Sequence, residues 1–259
     1  MENLTTPKSQ WPTKELATAF LEGIRGAIPG ADLQLPVIGK IAQLWCDAPS
    51  GILDLGCGNG ILGRFLLNMF ASARGVFVDF SDPMLEAARK TLSGAPQASV
   101  VKADFASPRW VDAVSSCQPF DIVVSGFAIH HLPDERKREL YSEVYQLLTS
   151  GGLFLNLEHV ASRTPAGEQL FDEFFVDHLH GYHAASDPGK PRELIAATYY
   201  QRPDKKENML APVDEQCQWL RAIGFNDVDC FFKVFELALF GGRKASNTCG
   251  IGVTTGHKT

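Results

Sequence analysis

The six cysteines among 259 residues never fall at a C-x-x-C spacing, no apolar run is long enough to cross a bilayer, and basic residues do not outnumber acidic ones. Each of these absences removes a class of function. Unpatterned cysteines point to reduced thiols and a cytoplasmic setting. Neither a signal peptide nor a membrane partner is expected. Twenty-four Lys and Arg against thirty Asp and Glu leave a net charge of −6, which argues against nucleic acid, since neutralising phosphates takes clustered cations. The short basic runs Arg136-Lys137-Arg138 and Lys205-Lys206 are flanked by acids and read as solvated faces. No internal repeat is present.

The chain is 45% hydrophobic, enough for one substantial core or a core plus a cap. Apolar runs alternate with helical stretches, the signature of a mostly parallel sheet covered on both faces. The most informative run is Ile52-Leu53-Asp54-Leu55-Gly56-Cys57-Gly58-Asn59-Gly60, a strand ending in a carboxylate and turning through alternating glycines into a helix near Ile61. Glycines let a ligand approach the backbone closely, and the helix start aims unpaired N–H groups and a positive dipole end at it. Asp54 favours a cationic group there over a pyrophosphate. The stretch Gly58 to Gly63 is also a formal G-x-G-x-x-G with Asp79 downstream, so a dinucleotide is the competing reading of the turn.

Three downstream segments decide between these readings. Gly75-Val76-Phe77-Val78-Asp79-Phe80 ends in an acid able to accept both ribose hydroxyls, with Phe80 offering a face to adenine. Ser81-Asp82-Pro83 supplies its own helix start, which leaves Asp79 for a ligand. Ala98 to Phe105 is a third strand ending at Asp104. Phe120 to Leu132 is a fourth, running out into Ser125, Gly126 and the pair His130-His131. A helix with Leu140, Val144, Leu147 and Leu148 on one face follows, Gly151-Gly152 stops it, and Leu153 to Glu158 forms a fifth strand.

This series resembles the class I methyltransferases that use S-adenosyl-L-methionine and release S-adenosyl-L-homocysteine, strongly over about 50–158 and more loosely over 214–244. The resemblance implies a Rossmann-like α/β fold: a seven-stranded, mostly parallel sheet with an antiparallel last strand, helices on both faces and a helical cap. It implies cofactor contacts from Asp54, Gly56, Cys57, Gly58, Gly60, Asp79, Phe80, Met84, Asp104, Phe105, Ser125 and Gly126. The expected organisation is a helical N-terminal lid over 1–49, the core over 50–158, a substrate cap over 159–212, the rest of the core sheet over 213–244 and a flexible tail over 245–259.

Methyl transfer from a sulfonium needs alignment and desolvation first, and a base only for some acceptors. His130 and His131 lie just past the fourth strand, where open α/β sheets bind ligands, and are the candidate catalytic residues. The cap is rich in aromatic residues and histidine, and His178, Tyr182, His183, Tyr199, Tyr200 and Arg202 are its candidate substrate contacts. The run His178 to His183 does not put three imidazoles on one helical face, so no metal is expected. The expected function is methyl transfer to oxygen or nitrogen of a small molecule by a monomer or homodimer. Arg202 also keeps open a similarity to carboxy-S-adenosylmethionine synthases, relatives in which an arginine holds the extra carboxylate. A non-catalytic binding module on this fold is the third reading.

Overall fold

The computed structural model describes residues 24–202, 205 and 207–246. The first part of the expected N-terminal lid and most of the expected tail lie outside them. A 3₁₀ turn, Ile24–Ala27, leads into α1 (Ala31–Trp45). The chain then alternates: β1 (Gly51–Leu55), α2 (Ile61–Met69), β2 (Arg74–Asp79), α3 (Asp82–Thr91), β3 (Ala98–Lys102), α4 (Trp110–Val114), β4 (Phe120–Gly126), α5 (Asp134–Leu147) and β5 (Leu148–His159). After the insert helices α6 (Pro165–Ala184) and α7 (Arg192–Tyr200) come α8 (Val213–Ile223), β6 (Phe225–Val234) and β7 (Leu237–Lys244). The sheet order is β3-β2-β1-β4-β5-β7-β6, and every pair is parallel except those made by β7.

Strand alternation splits the apolar side chains between two cores. Leu53, Leu55, Val78, Val123 and Phe154 face α4, α5 and α8. Ile52, Phe77, Ile122, Val124 and Leu155 face α1, α2 and α3. The insert adds a third, smaller cluster in which Phe171, Phe175 and Val176 of α6 and Tyr199 of α7 meet Ile28 and Leu237. Thr164 starts α6 by accepting from the Gly167 N–H at 3.1 Å, with Pro165 at the first helical position.

Some local expectations give way to packing. Within the expected N-terminal lid, α1 runs through Pro36, because burial of Gln34, Ile38 and Ala42 outweighs the hydrogen bond that proline removes. Gly241 and Gly242 lie inside β7. A Cβ at Gly241 would sit 2.0 Å from the Phe154 carbonyl oxygen, so β7 can lie against β5 only with glycine there. Gly151-Gly152 likewise sits within β5, since α5 has already ended at Leu147.

At the opposite end of the sheet from the glycine turn, Asp121 joins three strands. One oxygen accepts from Ser50 N (2.7 Å), Ser50 Oγ (2.9 Å) and Gly51 N (3.1 Å), and the other from Thr149 Oγ1 (2.9 Å). Burial works to raise its pKa, but the Ser50, Thr149 and Gly51 hydrogen bonds outweigh that and hold it below the ordinary carboxylate value. A lowered carboxylate stabilises the fold above its unfolded pKa and loses that contribution as pH falls through its native one. Asp121→Ala is therefore expected to cost about 1–3 kcal/mol at pH 7, for the donors left unpaired. The deficit should shrink below about pH 3.8. Urea titrations at both pH values would check this.

Candidate active site

The carboxyl ends of β1, β2 and β4 converge on a cavity of about 280 Å³. Its floor is the glycine turn. Gly56 N and Cys57 N donate to the Val78 carbonyl at 2.8 and 2.9 Å, which holds the turn against β2. Gly56 has φ +68°, and a Cβ there would come 2.3 Å from the Ala128 Cβ, so only glycine lets the two loops touch. Gly58 has φ +54°, and a Cβ on it would meet nothing within 4 Å. Its bare backbone borders open space of the kind a ligand could use.

Two carboxylates face this space. Asp54, buried within β1, accepts the Gly63 N–H at 2.8 Å and so ties the first turn of α2 to the strand. Asp79 accepts Gly58 N at 3.0 Å on one oxygen and Ser81 N at 2.9 Å on the other. Burial pushes its pKa up, against the pull of the Ser81, Gly58 and Phe80 N–H groups. The expected division of labour differs in detail: Ser81 precedes α3 but makes no side-chain cap hydrogen bond, and its N–H serves Asp79 instead. Each Asp79 oxygen keeps a further lone pair for a ligand hydroxyl.

Of the residues predicted to touch a cofactor, Asp54, Gly56, Cys57, Gly58, Asp79, Phe80, Met84, Phe105 and Gly126 line the cavity. The other three do not line it. Gly60 sits at the start of α2 with φ +81°. Ser125 is fully buried and donates through Oγ to the Leu55 carbonyl at 2.8 Å, fastening β4 to β1. Asp104 is exposed and accepts the Ala106 N–H at 2.9 Å. The sequence reading passed over Ile28, Leu62, Phe127 and Ala128, which also line the cavity. Phe127, with φ +52°, had no warning in its residue type, because non-glycine residues rarely take that backbone.

The two histidines part company. His131 lines the cavity; His130 is packed behind it, ring centroids 3.9 Å apart. His130 Nδ1 is 2.5 Å from Glu158 Oε1. Glu158, at the end of β5, also accepts Ile129 N (2.9 Å) and His130 N (3.0 Å) on Oε2 and His159 N (2.9 Å) on Oε1. One buried carboxylate thus shapes the whole loop after β4. Behind it His159 Nε2 lies 3.0 Å from Glu236, and Lys137 binds Asp134 at 2.7 Å and the Met209 carbonyl. The acid ending the Leu153–Glu158 run was visible in the sequence; its four donors were not.

Burial lowers the His131 pKa to about 4, helped by His130, while burial raises Glu158 to about 7. These displacements tilt stability in opposite directions. A lowered histidine loses stability as pH falls from its unfolded 6.5 toward 4, and a raised glutamate loses stability as pH rises from 4.5 through 7. The wild type is expected to be nearly level between about pH 4.5 and 6.5. His131→Phe, which removes the histidine contribution, should be less stable at pH 6.5 than at pH 4.5. Thermal melts across that window would show it; an unchanged profile would mean that His131 is not held neutral.

The candidate substrate residues of the insert lie away from the cavity wall. His178 and Tyr182 border a separate shallow groove with Gly26, Phe174, Asp177 and Gly181, and His183 lies near the end of α6. Tyr199 is buried and donates to Asp172 at 2.7 Å; Tyr200 is exposed and reaches Glu173 at 3.2 Å. The Arg202 guanidinium lies 5.1 Å from the Tyr199 ring centroid. Among the described residues no group of three or more His, Cys, Asp or Glu is placed to hold a metal, and no helix is long and apolar enough to cross a membrane.

Comparison with known proteins agrees with this geometry. Residues 52–152 match the family model described as a methyltransferase domain. Over 86% of the chain and 88% of the relative, 27% of residues are identical to the carboxy-S-adenosyl-L-methionine synthase of Shewanella amazonensis; the Pasteurella multocida protein of that name is 24% identical over the same shares. Among solved structures, human N-acetylserotonin methyltransferase in complex with S-adenosylmethionine superposes with a TM-score of 0.56 at 16% identity, over 93% of this chain and 61% of that one. The mitomycin 7-O-methyltransferase superposes at 0.55 and 17%, over 94% and 62%. The chain spans about six tenths of the length of these two structures, and at such identities the likeness is one of fold. A bare-backbone turn and a buried acid at the end of β2 suit the adenosyl group this family binds. Residues 52–152 thus match a methyltransferase domain, and the fold around them is that of S-adenosylmethionine-dependent methyltransferases.

Proposed function

We propose that this enzyme methylates an oxygen or nitrogen of a small molecule. The observation that carries the reading is the enclosed cavity itself, floored by the glycine turn and flanked by the buried Asp79 carboxylate. In this reading Gly58 and its neighbours support the cofactor, Asp79 receives the ribose hydroxyls, and Phe80, Met84 and Phe105 enclose the adenine. Asp54 offsets positive charge near the methionine end. When bound, S-adenosylmethionine supplies a methyl group already activated by a positive sulfur. The protein then needs only to align the acceptor, exclude water and receive a proton. Phe127, Ala128 and the His131 ring, held by the Glu158-anchored loop, close the acceptor side.

A cytoplasmic monomer or homodimer without a nucleic-acid partner completes the reading, supported by the acidic charge balance. The named relatives favour a second one, synthesis of carboxy-S-adenosylmethionine. Against it, no Lys or Arg among the described residues lines the cavity, so none of them is placed there to pair with an additional carboxylate. Incubating the protein with cofactor labelled on its methyl group separates the two. Label recovered in a small acceptor alongside S-adenosylhomocysteine supports methyl transfer; label retained on a heavier, carboxylated cofactor overturns it.

A further inference from the structure

The basic run Arg136-Lys137-Arg138 reads in sequence as a solvated face, yet only Arg138 is exposed; Arg136 and Lys137, in the first turn of α5, are buried. The Arg136 guanidinium turns inward. Nη1 and Nη2 donate to the two oxygens of Glu143 at 2.8 and 2.7 Å, and Nη1 also reaches Glu139 at 3.1 Å. Nε donates to the Phe105 carbonyl oxygen at 3.0 Å. Glu143 in turn accepts the Trp110 indole N–H at 2.6 Å. Phe105 and Trp110 are both buried, while Ala106 to Arg109 between them are exposed. The loop after β3 is therefore fastened to α5 at both ends, at Phe105 by Arg136 directly and at Trp110 through Glu143. The Phe105 ring lines the cavity and lies over the glycine turn, since a Cβ at Gly56 would stand 3.4 Å from its edge.

We infer that Arg136 is a positioning residue for the cofactor: it fixes the Phe105 wall at the distance from the glycine turn that an adenosyl group fills. The inference rests on the reading that places adenine against Phe105. The geometry asks for arginine in particular. A planar guanidinium sets the angle between a carboxylate gripped at its two Nη groups and a third acceptor at Nε, so fixing Glu143 fixes the Phe105 carbonyl too. A lysine keeps the charge and a bond to Glu143, but an ammonium on a flexible stem imposes no such angle. Without the Nε–H the Phe105 carbonyl loses this donor, and the wall gains freedom that binding must then remove.

The test uses the full chain and calorimetric titration with S-adenosylhomocysteine and with 5′-methylthioadenosine, which carries the adenosyl group without the amino acid. Arg136→Lys is expected to raise Kd by at least about fivefold, and by the same factor for both ligands, because the wall faces the part they share. The double variant Arg136→Met/Glu143→Leu leaves neither partner of the ion pair buried alone, so it keeps the fold, and it should show the same loss. Asp121→Ala supplies the comparison. It also removes a carboxylate that ties backbone groups together, but at the opposite end of the sheet, and its Kd for both ligands should match the wild type. Unchanged affinity in both Arg136 variants, a loss confined to S-adenosylhomocysteine, or an equal loss in Asp121→Ala overturns the inference. Phe105→Ala separates this from failure of the underlying reading. If it weakens both ligands while the Arg136 variants do not, only the inference falls; if it weakens neither, adenine does not lie against Phe105 and both fall.

Discussion

Asp79→Ala is expected to raise the dissociation constant for S-adenosylhomocysteine by about 10²- to 10⁴-fold while the protein stays folded. A carboxylate receiving two ribose hydroxyls contributes roughly 1.5–3 kcal/mol per charge-assisted bond, and alanine removes both. The carboxylate is buried and already fixed by Gly58 N and Ser81 N, so no reorganisation is needed on binding. The turn that carries Gly58 is also held to β2 through the Val78 carbonyl, which lets the fold survive the substitution. Calorimetry measures the affinity and circular dichroism the fold. A loss below about threefold would mean that the adenosyl group lies elsewhere.

Glu158→Leu carries the largest expected cost to stability. It leaves Ile129 N, His130 N, His159 N and His130 Nδ1 without their acceptor inside a wall that water does not reach. Orphaned donors of this kind cost about 1–3 kcal/mol each, partly relieved by local rearrangement, so a net loss of about 4 kcal/mol is expected. That corresponds to a fall in Tm of about 10 °C for a chain of this size. Turnover should fall further than stability does, because the loop carrying Phe127, Ala128 and His131 loses its anchor. Melting the variant with and without S-adenosylhomocysteine separates the effects: the cofactor product should still raise Tm, since the glycine turn is untouched. A Tm within about 2 °C of the wild type would show that the carboxylate is dispensable.

These two residues mark where sequence alone was informative and where it stopped. Asp79 was legible because a strand ending in an acid, one βαβ unit after a glycine turn, is a local pattern with one geometric outcome. The same holds for the strands and for the helix carrying Leu140, Val144 and Leu147, since periodicity reports burial directly. Glu158 stood in view as the end of the fifth strand, but its partners come from a loop about thirty residues earlier, a distance no local pattern encodes. His130 and His131 are adjacent and chemically identical, and only the fold turns one to the cavity and the other to Glu158. Gly241 and Gly242 show a related limit. They mark close approach of two backbones, which in a single sequence looks the same as a turn.

The placement of β7 between β5 and β6 has a consequence for synthesis of the protein. While the ribosome is still producing residues up to Glu236, β5 has β4 on one flank and an open row of backbone donors and acceptors on the other. That open row ends only when the final eight-residue strand emerges and turns back into the gap. A nascent chain stalled before Leu237 would therefore expose a long apolar edge, a natural target for chaperones or for a neighbouring chain, so biogenesis of this enzyme turns on its last strand.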